Sequence, residues 1–153
     1  MRETKILSQE SYKDLRKFLE DLGQATGKVC YCKSLDGTEM NHSDLRTTIK
    51  SAQMDGIILY QDYKTSGYLQ LAPPDQSFNY WRVLCYRVSE NESSEQFKVL
   101  LRAAIRRVRS QGGKSLTFVD NMGCQILPNR HNILSELGFV KQDETSSWKI
   151  RIP

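Results

Sequence analysis

A chain of 153 residues suits one domain (residues 1–153) that buries about two-thirds of the surface of its unfolded form. With 39% hydrophobic and 26% charged residues it reads as a folded globule, not a disordered chain, and no apolar run approaches the ~20 residues that span a bilayer. Twenty-two basic against 18 acidic residues leave +4, too mild for a polybasic tail and open to an acidic ligand without requiring one.

The opening "MRETKILSQESY" is polar and lacks an apolar run before a small-residue cleavage site, so a cytoplasmic protein is expected. A strand is predicted near Thr4 to Leu7. Ser8 then caps a helix with Tyr12, Leu15, Leu19 and Leu22 at helical spacing, and Gly23 is expected to stop it. "KVCYCKSLDG" suggests a short strand with an Asp36-Gly37 turn. A second helix falls in "NHSDLRTTIKSAQM", capped by Asn41 or Ser43, with Leu45, Ile49 and Ala52 inward.

The middle of the chain reads as sheet. "GIILYQDYKTSGYLQLAP" makes a hairpin, with Ile57 to Tyr60, a polar turn ending at Gly67, and Tyr68 to Leu71. Pro73-Pro74 ends that strand, since proline offers no N–H to a ladder. "NYWRVLCYRV" follows as a long strand rich in aromatic and branched residues. The strongest helix runs from about Ser94 to Ser110, with Phe97, Leu101, Ala104, Ile105 and Val108 as its buried stripe. After Gly112-Gly113, "KSLTFVD" returns as a strand, "NRHNILSELG" holds a short helix, and "FVKQD" and "SWKIRI" pair at the end.

That order predicts an α/β (α+β) fold with a mixed, mostly antiparallel sheet flanked by helices. The strand–helix–strand succession makes one parallel pair, splayed where Val88 and Leu116 to Val119 diverge, and ligands in open sheets favour the carboxyl ends of such strands. Cys30, Cys32, Cys85 and Cys124 are expected as reduced, mostly buried thiols. Their spacing fits no zinc finger or ribbon, so no metal is expected. Lys98, Arg102, Arg106 and Arg109 form one helical stripe, with Arg107 beside it. Basic residues late in a helix complement its dipole, a simpler account than a nucleic-acid face.

"FKVLLRAAIRRVRSQGGKSLTFVDN" and "PNRHNILSELGFV" resemble the central helix and closing segment of the GCN5-related N-acetyltransferases (GNAT), with Gly138 and Phe139 in register. The resemblance implies a domain that transfers an acetyl or acyl group from acetyl-CoA to a small-molecule or peptide amine. It implies that the backbone of Tyr86, Arg87 and Val88 pairs with the pantetheine arm, and that the amino end of the following helix takes the pyrophosphate.

The chain departs from that pattern twice. "SENESSEQF" has none of the glycine and arginine expected at the pyrophosphate, but carries Glu90, Glu92 and Glu95, and Ser93 with Gln96 suggests a capping box. At the tyrosine that would protonate the departing thiolate stands Leu134.

An atypical site would hold the cofactor through Ser93 or Ser94 and Asn129, with Glu90 deprotonating the amine. His131 and Ser135 lie on the short helix near Leu134, and an imidazole can carry a proton near neutral pH. A solvent-facing His131 and a helix-capping Asn129 are the competing readings. The alternative is a catalytically inactive fold that binds a protein, peptide or nucleic acid; neither reading involves a membrane.

Overall fold

The computed structural model describes residues 2–27, 29–31, 33, 38–51, 54–89, 93–120, 125–142 and 146–153. Seven strands form one sheet in the order β1-β2-β3-β4-β5-β7-β6. They are β1 (Arg2–Ile6), β2 (Asp55–Gln61), β3 (Lys64–Ala72), β4 (Trp81–Val88), β5 (Ser115–Val119), β6 (Val140–Lys141) and β7 (Ser147–Arg151). All pairings are antiparallel except β4 with β5. The mixed sheet with one parallel pair is the expected one.

Helices cover both faces. On one side α1 (Tyr12–Thr26) and α2 (His42–Lys50) bury Leu15, Phe18, Leu19, Leu45 and Ile49 against Ile58 and Tyr68. On the other, α3 (Ser93–Ser110) and α4 (Arg130–Glu136) bury Phe97, Leu101, Val108 and Ile133 against Ile57, Leu59, Val83 and Phe118. Neighbouring residues of β2 thus feed opposite cores, which is why its sequence is a continuous apolar run and not an alternation. No helix among the described residues is long and apolar enough to cross a membrane.

Local details depart from the sequence reading. Gly23 does not stop α1; the helix continues to Thr26, and Gly27 caps it at φ 86°. Gly23 is instead a packing position, because a Cβ there would lie 2.6 Å from the backbone Cα of Val29. The β2–β3 turn is tighter than expected. Asp62 and Tyr63 both adopt positive φ, 51° and 67°, and β3 begins at Lys64. Asn41 caps α2, its Oδ1 accepting from the Asp44 N–H at 2.8 Å. Of the suggested 28–33 strand, the described residues show one isolated bridge, Lys33 to Glu39; Asp36 and Gly37 fall outside them. Cys30 is disulfide-bonded, contrary to the expectation of reduced thiols, whereas Cys85 is a buried thiol in no disulfide.

Candidate functional site

The sheet opens at its parallel pair. β4 and β5 pair only through Trp81–Leu116, Arg82–Thr117 and Val83–Phe118. Directly beyond, β4 carries a bulge: Val83 faces Leu71 and Cys85 faces Gln70, leaving Leu84 as the extra residue. A bulge bends its strand and shifts the facing of every residue after it. Trp81 and Val83 before it, and Tyr86 and Val88 after it, therefore all point into the α3 core.

Tyr86 packs on Phe97 at 4.5 Å between ring centroids, and both rings lie 5.9 Å from Phe118. These aromatics fill the base of the opening. The cavity left between the strands, lined by Val83 to Tyr86, Phe118 to Asp120, Gln125 and Ile126, is about 10 Å³, room for one water at most.

The free edge of β4 is answered by the segment following β5. The Val88 N–H donates to the side-chain carbonyl of Gln125 at 2.9 Å, and the Leu127 N–H donates to the Tyr86 hydroxyl at 3.1 Å. Burial is the main cause that raises the Tyr86 phenol above its ordinary range, and the Leu127 N–H and Arg130 offset it only in part. The phenol is therefore neutral at physiological pH.

At the carboxyl end of β5, Asp120 gathers two side chains from α4. Arg130 donates from Nε to Oδ1 at 2.7 Å and from Nη2 to Oδ2 at 3.2 Å, and His131 Nε2 lies 2.7 Å from Oδ2. Hydrogen bonding to Asp120 is the first cause that raises the Arg130 guanidinium above its usual value. The His131 ring stacks on Trp148 with centroids 5.1 Å apart, while its side chain stays about half exposed. Asp120 itself lines the β4–β5 cavity, so the imidazole is tied to the cleft through one carboxylate.

The other expected site residues divide. Ser94 and Asn129 come together, with Asn129 Nδ2 donating to Ser94 Oγ at 2.6 Å. Asn129 stands at the N-cap of α4 without a side-chain cap bond, so it joins α4 to α3 and does not cap its own helix. Ser93 is the first residue of α3. The capping box expected of it does not form, because the buried Gln96 side chain pairs with the Ser89 hydroxyl, Nε2 to Oγ at 2.8 Å. Arg87 is buried on the face it shares with Tyr68, away from α3, so its side chain does not enter the cleft. Ser135 is exposed, one turn beyond His131 on α4. Glu90 and Glu92 fall outside the described residues.

Leu134, where the resemblance would place a proton donor, is wholly buried. In the basic stripe, Lys98 pairs with Glu136 at 3.0 Å, and Arg107 beside it pairs with Asp55 at 3.0 Å, so carboxylates of the chain take up part of that charge. Among the described residues no three His, Cys, Asp or Glu side chains gather as a metal site.

Sequence reasoning missed Asp120, Arg130 and Gln125. Asp120 had a signal, as a carboxylate closing the strand "KSLTFVD" at the end where ligands gather. Gln125 had none.

No family matches this chain by sequence profile, and no curated protein matches it. Solved structures match throughout its length. An acetyltransferase of the GNAT family from Streptococcus pneumoniae aligns over 100% of both chains at 13% identity, with a TM-score of 0.67. An N-acetyltransferase from Staphylococcus aureus Mu50 aligns over 99% of this chain and 98% of its own at 14% identity and TM-score 0.67. A GNAT family acetyltransferase from Brucella melitensis, solved in complex with acetyl-CoA, covers 100% of this chain and 89% of its own, at 9% identity and TM-score 0.64. The chain has the GCN5-related N-acetyltransferase fold.

Proposed function

We propose that this chain transfers an acyl group from a coenzyme A thioester to a primary amine, with the reaction seated in the β4–β5 cleft. One observation carries the reading. Beyond Val83 the edge of β4 is free of β5, and its Val88 N–H is met by a carboxamide oxygen. An extended ligand bearing amides pairs with such an edge as an added strand would, so the residues present fit the arm of coenzyme A.

A bound acyl-coenzyme A supplies an activated carbonyl: the amine nitrogen forms the new C–N bond, the C–S bond breaks, and the sulfur leaves as thiolate. The chain positions and moves protons. Ser94 and Asn129, bonded to each other where α3 and α4 begin, offer hydroxyl and amide groups to the cofactor's polar end, with Ser93 adjacent. Glu90, two residues after Val88 in sequence, or His131 held by Asp120, accepts the proton of the amine. His131 can return a proton to the thiolate in place of the tyrosine that Leu134 replaces. Ser135 lies on the exposed side of α4, one turn beyond His131.

The test is a melting curve with and without 1 mM acetyl-coenzyme A, followed by turnover on a panel of amines. At a hundred times the Kd, ligand binding adds about 2.7 kcal/mol, some 5–10 °C for a domain of this size. A second reading, the same fold without the reaction, is favoured by the burial of Leu134 and the tightness of the cleft. It predicts no shift with any coenzyme A thioester.

A further inference from the structure

We infer that Gln125 is a built-in plug of the cleft: its side-chain carboxamide occupies the β4 hydrogen-bonding position that a coenzyme A arm would take, so binding requires its displacement. This rests on the proposed acyl-coenzyme A reading and adds a regulatory step to it.

The geometry carries the inference in three parts. First, the free edge of β4 is a short one, and the Val88 N–H in it points where β5 would lie had the pair continued. A buried N–H left unmet is costly, so something must answer it. The answer is the Gln125 side chain at 2.9 Å, 37 residues away in sequence.

Second, that side chain is a primary carboxamide. It presents the same acceptor, in the same planar amide group, that an extended amide-bearing ligand would present to a strand edge. Gln125 therefore satisfies the edge as a ligand would.

Third, the plug is seated in the space a ligand would need. With Gln125 and Ile126 lining it, the cavity between the strands measures about 10 Å³, too small for an extended arm. The segment is anchored one residue further on, where the Leu127 N–H donates to the Tyr86 hydroxyl; its Ile126 side chain is 55% exposed. The Gln125 bond is a side-chain contact and can be released by rotation about its χ angles. The Leu127 anchor, from a backbone N–H to the Tyr86 hydroxyl, can stay.

The experiment titrates coenzyme A and acetyl-coenzyme A into the intact chain and into Gln125→Ala and Gln125→Glu, and follows exchange of the Val88 amide by NMR. Gln125→Ala should bind coenzyme A about fivefold more tightly or better, since it loses a competing bond of ordinary strength, and its free Val88 amide should exchange correspondingly faster. Gln125→Glu keeps an acceptor in place and should gain nothing. Equal affinity in wild type and Gln125→Ala overturns the plug and leaves the cofactor reading standing. So does an equal gain in both variants, because the gain would then come from loosened packing. Absence of binding in all three, with faster Val88 exchange in Gln125→Ala, overturns the plug together with the reading beneath it.

Discussion

Arg130 holds both carboxylate oxygens of Asp120, through Nε at 2.7 Å and Nη2 at 3.2 Å, and so ties the start of α4 to the end of β5. The pair is mostly buried, with side chains 16% and 9% exposed. Arg130→Ala removes the bidentate partner of a buried carboxylate, and should cost about 3 kcal/mol, because breaking a buried ion pair from one side is expensive. Urea unfolding measures this. A loss below about 1 kcal/mol would mean that solvent already shields the pair.

His131 separates chemistry from stability at the same cluster. Its side chain is about half exposed, so His131→Gln should change the unfolding free energy by less than about 1 kcal/mol. If the imidazole moves a proton in the acyl transfer, the same change should lower kcat about 10²-fold or more, with KM for the amine nearly unchanged. Equal turnover by wild type and His131→Gln would leave the proton to Glu90 alone.

Gly23 offers a test in which two effects have opposite sign. Alanine for glycine inside a helix ordinarily stabilises by about 1 kcal/mol. Here the new methyl would lie 2.5 Å from Val29 Cγ2 and 2.6 Å from its Cα, which forces the backbone after α1 to move. The clash should win, giving a net loss of about 1–3 kcal/mol in denaturant unfolding. A stabilised Gly23→Ala would show that the 29–31 segment yields freely.

Arg82 is buried on β4 with Nε and Nη2 lacking hydrogen bonds, its Nη2 3.8 Å from Asp75 and its guanidinium 3.9 Å from the centre of the Phe78 ring. A buried charge so weakly paired costs more in desolvation than it returns. Arg82→Met should therefore be neutral or up to about 2 kcal/mol stabilising in thermal or urea unfolding. A clear loss of stability would give the cation–ring contact more weight than the missing hydrogen bonds.

Alkaline stability should report Tyr60. Burial, then the nearby Asp14, raises its phenol to about 12 from the ordinary 10. Below pH 10 both folded and unfolded chains keep the proton and the contribution is fully present. Between pH 10 and about 12 only the folded chain keeps it, so stability falls through that window. Tyr60→Phe should flatten the fall in urea midpoint across the window; an unchanged slope assigns it to other groups.

Much of the fold was legible because apolar spacing is a local signal. Phe97, Leu101, Ala104 and Val108 mark α3 by period alone, and the continuous run Ile57 to Leu59 marks a strand buried on two faces. The turn at Asp62 and Tyr63 was misread because neither residue is the glycine that positive φ usually calls for. The bulge at Leu84 leaves no pattern in "WRVLCYRV", since every residue there is buried whichever way it faces. The site was legible only where two suspected residues meet, as Ser94 and Asn129 do. Gln125 meets Val88 across 37 residues through one side-chain bond, and composition carries no trace of such a contact.

Cys85 turns the tightness of the cleft into something that can be timed. Its thiol is in no disulfide, 1% exposed and among the residues lining the gap between β4 and β5. An alkylating reagent can reach it only while the structure around β4 opens. The rate of its labelling is therefore a stopwatch for opening, readable by mass spectrometry without a substrate in hand.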